Sequence, residues 1–184
     1  DFAMCGEVLA SGPKHADNVA PCLYGGITLI RSNNPLDIIK LDFPDLYVTV
    51  LHPLIELKTS DSRSILKKQV PLSNAVMQWG NVSALVAGLI KKDYNIISRS
   101  LVDVIIEPAR SILIPFFNEI KESSIKAGAL GGGIAGSGPS VFMLSKKKSD
   151  AKAIEAAIID IYSKTGIEFN TYVSNISKTG VRIE

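Results

Sequence analysis

The chain has 184 residues, 46% of them hydrophobic and 21% charged, enough to close one well-formed core or at most two small ones and too apolar for disorder. Twenty Lys and Arg against eighteen Asp and Glu leave a net charge of +2, with no long block of either sign, so the electrostatic footprint of a nucleic-acid binder is missing. No apolar run reaches a bilayer-spanning length and no signal-peptide pattern appears, which predicts a soluble, cytoplasmic protein. Cys5 and Cys22 sit among apolar neighbours at no metal-ligand spacing, and the expectation is two buried, reduced thiols.

In chain order, Phe2, Cys5, Val8 and Leu9 fall at helical spacing behind an Asp rather than a Met, as though the chain enters midway through an amphipathic helix. A loop and a short helix run from Gly12 to Tyr24. Strands are predicted over Ile27–Arg31, Ile38–Phe43 and Leu46–Leu51 from their β-branched and aromatic content. Ser60-Asp61 is placed to cap a short helix ending near Lys67, and Ser73 precedes a long helix with Val76, Trp79, Val82, Val86 and Leu89 on related faces.

Tyr94–Leu101 reads as a short helix, and Pro108 opens another that carries Ile112, Leu113, Phe116, Phe117 and Ile120, with Pro115 kinking it or closing its first turn. Gly128–Ser140 holds six glycines in thirteen residues. Glycine costs about 0.5–1 kcal/mol relative to Ala inside regular structure, so such a run reads as a loop that needs positive φ or a close approach. A strand at Val141–Leu144, a helix over Asp150–Tyr162, and strand-like runs at Phe169–Val173 and Gly180–Ile183 complete the chain. Lys146–Lys148 reads as solvated loop. Without strict βα alternation, the fold class is α+β: a two-layer antiparallel sheet with helices on one face.

Two segments carry chemistry. Gly12-Pro13-Lys14-His15-Ala16-Asp17-Asn18-Val19-Ala20-Pro21 and the glycine-rich run resemble the second and third motifs of the GHMP small-molecule kinases, the first in the form of their homoserine kinase branch. Thr59-x-x-x-Arg63, Gly80-Asn81-x-x-Ala84-Leu85 and Glu107-Pro108-Ala109-Arg110 match between them in the usual order. The resemblance implies the end of a nucleotide- and substrate-binding domain over residues 1–24 and a GHMP C-terminal domain, with ferredoxin-like elements, over 25–184. It also implies a phosphate-binding loop upstream, of the Pro-x-x-x-Gly-Leu-Gly-Ser-Ser-Ala type, that nothing here matches. The chain thus reads as a C-terminal fragment, inactive alone, of an enzyme that uses ATP and Mg²⁺ to phosphorylate L-homoserine for threonine synthesis.

By that resemblance, Glu7 is the Mg²⁺ ligand, a hard oxygen eleven residues before Asn18. Asn18 orients the amino acid, because its amide cannot take a proton as a general base would. Thr59 lies near the reacting hydroxyl, and Arg63 with Arg110 grips the substrate carboxylate, which a guanidinium holds bidentately. Gly136, Ser137 and Gly138 shape the nucleotide side of the pocket through backbone N–H groups.

Each residue also has a plain structural reading. Glu7 serves as an exposed helix glutamate, Asp17 or Asn18 as a helix cap, His15 as a loop histidine and Thr59 as a strand-end cap; Arg110 pairs with Glu107, and the glycines form a packed turn. At the level of function, a non-catalytic amino-acid-binding module, a GHMP kinase for another alcohol, and a homodimer stay open.

Overall fold

In a computed structural model, the described residues are 2–11, 15–57 and 64–182, gathered into two compact units: Asp1–Pro44 with Ile176–Glu184, and Asp45–Asn175. The first unit holds helix α1 (Phe2–Ser11), helix α2 (Val19–Tyr24) and the antiparallel hairpin β1 (Ile27–Asn33) and β2 (Leu36–Leu41), whose register runs from Ile27 opposite Leu41 to Asn33 opposite Leu36. The boundary expected between residues 24 and 25 lies inside this unit.

Three of its details differ from expectation. The helix α1 exists, but it buries Met4 and leaves Phe2, Cys5, Val8 and Leu9 exposed. Cys22 is exposed as well, so neither thiol is a core residue. Residues 180–182 form no strand. They run as an irregular tail whose Val181 N–H donates to Cys22 O at 3.1 Å, while Ser177 O accepts from Gly26 N–H at 2.7 Å.

The second unit is built on a four-stranded antiparallel sheet in the order β4-β5-β3-β6, with β3 at Tyr47–Pro53, β4 at Gly131–Ile134, β5 at Val141–Ser145 and β6 at Phe169–Asn175. Among the described residues the helices of this unit are α3 (Leu72–Lys91), α4 (Tyr94–Ser100), α5 (Glu107–Arg110), α6 (Phe117–Lys126) and α7 (Lys148–Tyr162). Alternate residues of β3 and β5 point to one face, where Leu51, Val141 and Met143 meet Phe117 and Ile120 of α6 and Ile154, Ile158 and Tyr162 of α7. Thr49, fully buried on that face, donates its hydroxyl to Ala151 O at 3.0 Å and so joins sheet to helix without leaving a polar orphan. The observed class is the expected α+β, with an antiparallel sheet covered by helices.

The glycine run departs from its reading as loop. Gly131-Gly132-Gly133 is strand, paired with Leu144, Met143 and Phe142. A Cβ on Gly132 would stand 2.0 Å from Phe142 O, so here glycine serves the close approach of two backbones. The helix expected after Pro108 is interrupted as well: α5 is followed by a single 3-10 turn over Ser111–Leu113, Pro115 removes an N–H donor, and Phe116 takes φ +58 before α6 starts. Helix α3 starts at Leu72 rather than after Ser73, and only Gly88 and Leu89 of it are fully buried. Val76, Trp79 and Val82 are exposed, so the stripe read from sequence mixes two faces. Among the described residues no helix is long and apolar enough to cross a membrane.

Candidate active site

The site is assembled from the linker Leu101–Ile106, which carries the chain from α4 to α5. Two amides of α3 hold that linker: Gln78 Oε1 accepts from Val104 N–H at 2.9 Å, and Asn81 Nδ2 donates to Val102 O at 3.0 Å. Asp103 then folds back, its carboxylate accepting from the N–H groups of Ile105 and Ile106, both at 2.8 Å. This side-chain turn satisfies the donors that precede the short α5 and fixes where Glu107 and Arg110 project.

Arg110 closes on the glycine run. Its Nη1 donates to Gly136 O at 2.9 Å, and Gly136 sits at φ +58 in the turn Ala135–Gly138, which is closed by Gly138 N–H to Ala135 O at 3.0 Å. The far end of the turn is tied back to the sheet. Ala135 N–H donates to Ser140 O at 2.8 Å, and Ser140 Oγ shares a hydrogen bond of 2.8 Å with His52 Nδ1 on β3.

Glu107 faces the same cleft but pairs with Lys121 on α6 rather than with Arg110. Its Oε2 lies 2.9 Å from where a Cβ on Gly133 would stand, so glycine at 133 leaves room for the carboxylate. Together these groups line a cleft of about 380 Å³, with Gln78, Asp103, Glu107, Arg110, Gly136 and Phe142 on its walls. The volume suits a small polar molecule. A fixed guanidinium beside a turn of backbone amides is chemistry suited to an anionic one.

The sequence-predicted residues fare differently. Arg110 and Gly136 come together, with Ser137 and Gly138 in the same turn. Thr59, Arg63 and the Ser60-Asp61 cap lie outside the described residues. Asn18 occupies the N-cap position of α2, exposed, with φ −92 and no side-chain capping bond, which sets aside the plain capping reading and leaves its amide for another partner. The loop ahead of it is fastened by Ala16 N–H donating to Asn33 Oδ1 at 3.1 Å. Glu7 is half-buried on α1, and His15 is exposed. Among the described residues no group of three His, Cys, Asp or Glu could hold a metal alone. Sequence reading did not single out Gln78, Asp103, His52 and Lys121; each acts through a contact distant in sequence or a local turn with no motif of its own.

Comparison with known proteins bears on the fold and the family. Residues 85–164 match the family described as GHMP kinases C terminal. The homoserine kinase of Chlorobaculum tepidum is 50% identical over 185 residues, covering 99% of this chain and 57% of the relative. The crystal structure of homoserine kinase from Cytophaga hutchinsonii superposes with a TM-score of 0.94 at 52% identity, over 97% of this chain and 57% of that one. Mevalonate kinase of L. major, at 17% identity and a TM-score of 0.65 over 86% of this chain and 51% of that one, shares the fold. The chain spans somewhat over half the length of the homoserine kinases it matches. Residues 85–164 therefore match the C-terminal domain of the GHMP kinases, and nearly the whole chain is similar to homoserine kinases.

Proposed function

We propose that the chain is the C-terminal part of an ATP-dependent homoserine kinase, transferring the γ-phosphoryl group to the side-chain hydroxyl of L-homoserine. The observation that carries this is the Arg110 guanidinium, locked onto Gly136 O at the mouth of a small cleft, in a chain half identical to a homoserine kinase along 99% of its length. An α-carboxylate is the part of homoserine that a planar guanidinium recognises and that a sugar lacks.

In this reading Arg110, with Arg63, holds the carboxylate, and Asn18 orients the amino acid. Thr59 stands beside the hydroxyl, and the Gly136–Gly138 turn offers backbone donors to the nucleotide side of the pocket. Bound Mg²⁺ supplies charge neutralisation between phosphate oxygens, with Glu7 as the protein's contribution to its shell. Rate then comes from positioning and charge stabilisation, without a strong general base. A cytoplasmic location and a role in threonine synthesis belong to the same proposal.

The test is ADP release with Mg-ATP by a chain that carries these residues within the full length of its relatives, offered L-homoserine, mevalonate, galactose or no acceptor. Homoserine-dependent release is expected. Activity on another alcohol alone would reject the substrate and keep the kinase; silence with every acceptor would favour a binding module. Arg110→Ala is expected to lower kcat/KM for homoserine about 10- to 150-fold, the worth of one charge-assisted contact, with ATP affinity unchanged.

A further inference from the structure

Glu107 and Arg110 are the first and last residues of α5, one helical turn apart, with Arg110 N–H donating to Ile106 O at 3.0 Å. Opposite charges at that spacing stand within reach of each other and pair by default. Both side chains also line the same cleft, where Arg110 is the only cation among the described residues of the wall. Yet Glu107 turns instead to Lys121 on α6.

Its seat there is built by α6 and β4 rather than by its own helix. The Lys121 ammonium meets Glu107 Oε1 where the two side chains are only 23% and 14% exposed, so solvent screens the contact little. The ammonium also lies 5.7 Å from the centroid of the Phe117 ring, one turn back on α6, which attracts it in turn. Glu107 Oε2 takes the space left by the missing side chain of Gly133, 2.9 Å from where a Cβ would stand.

A carboxylate of the protein seated on Arg110 would compete with any carboxylate entering the cleft, and it would do so from a position already one turn away. We propose that Lys121 is a positioning residue: by neutralising Glu107 and holding it against Gly133, it keeps that carboxylate from competing for Arg110 with the α-carboxylate of the substrate. This rests on the reading of Arg110 as the group that holds homoserine. Without Lys121, Glu107 is a largely enclosed charge with one cation left in its cleft. If it occupies Arg110 about nine-tenths of the time, the apparent affinity for the amino acid falls about tenfold.

The test is steady-state kinetics with L-homoserine and Mg-ATP, in a chain that carries these residues within the full length of its relatives. Lys121→Met keeps the stem and removes the charge; it is expected to raise the KM for homoserine about tenfold, with kcat and the KM for ATP little changed. Lys121→Arg restores a cation and is expected to recover most of the loss. Combining Lys121→Met with Glu107→Gln decides the matter. An amide leaves no charge unpaired and competes poorly for a guanidinium, so the second substitution is expected to lower the KM that the first raised. An ion pair needed only for folding would behave the other way, each loss adding to the other. A double variant no better than Lys121→Met overturns the proposal. So does a Glu107→Gln variant impaired as strongly as Lys121→Met, which would make Glu107 itself a substrate contact. A crystal structure of Lys121→Met separates this inference from the choice of substrate: Glu107 paired with Arg110 upholds it even if homoserine is not phosphorylated, and Glu107 still apart from Arg110 overturns it whatever the substrate.

Discussion

Tyr162 is enclosed at the end of α7, edge-on to Phe169 with ring centroids 5.3 Å apart, and its hydroxyl donates to Pro115 O at 2.8 Å. Burial pushes its pKa up from 10.0 to about 12, because the interior disfavours the phenolate. The folded chain therefore keeps this proton after the unfolded chain has lost it. The stabilisation is complete below pH 10 and is lost as pH rises toward about 12. Tyr162→Phe is expected to cost about 1 kcal/mol at neutral pH, from the hydrogen bond, and to remove part of the alkaline destabilisation; urea titrations at pH 7 and pH 11 check both. At this scale the sequence singled out Arg110 and the glycine run separately, and the structure brings them together through Arg110 Nη1 donating to Gly136 O. The sequence was opaque where the partner is remote: nothing local announces that Glu107 pairs with Lys121, or that His52 reaches Ser140. Cys5 and Cys22 show the opposite failure, apolar context without burial.

Among the elements, β4 is where composition misled most. Glycine-rich segments read as loops because glycine weakens regular structure, yet in β4 the missing side chains admit Phe142 O, Leu101 and Glu107 at distances no Cβ allows. The turn that follows uses glycine differently: Gly136 has open space around it and needs only its positive φ. The two kinds of glycine predict different penalties. Gly132→Ala forces β4 from β5 and is expected to cost about 3 kcal/mol or more, whereas Gly136→Ala meets only backbone strain of about 1 kcal/mol. Thermal denaturation of the two variants separates them, and equal losses would contradict the assignment. The strands β1, β2, β3, β5 and β6 were each legible from apolar, β-branched and aromatic content, with β2 lying at Leu36–Leu41 rather than the expected Ile38–Phe43. Helix α3 was legible as a helix but not in its facing, since an uncharged helix gives periodicity no polar side to mark.

Across the whole molecule, the first unit is made from both ends of the chain. A Cβ on Gly180 would stand 2.1 Å from Leu23 O, and one on Gly25 would stand 2.3 Å from the carbonyl carbon of Thr179, so the tail and the end of α2 are in backbone contact. Lys40 adds to the closure by donating to Tyr24 O at 2.9 Å and Lys178 O at 3.3 Å. Gly180→Ala is expected to loosen α2 and the loop that carries Asn18. Faster amide exchange over residues 15–26, with the sheet core around Met143 unchanged, would show it. None of this closure was visible in the sequence, which offered Gly180–Ile183 only as another strand.

The same closure orders events during synthesis. The segment Asp45–Asn175 contains every strand and helix of its own sheet, so it can fold as soon as it has left the ribosome. The hairpin β1–β2 and helix α2 are made before that segment but must wait for Ser177–Val181. At about 5–20 residues per second, that wait is on the order of ten seconds. For that interval the Asn18 loop lacks the backbone contacts that fasten it, so a part made before the sheet matures after it.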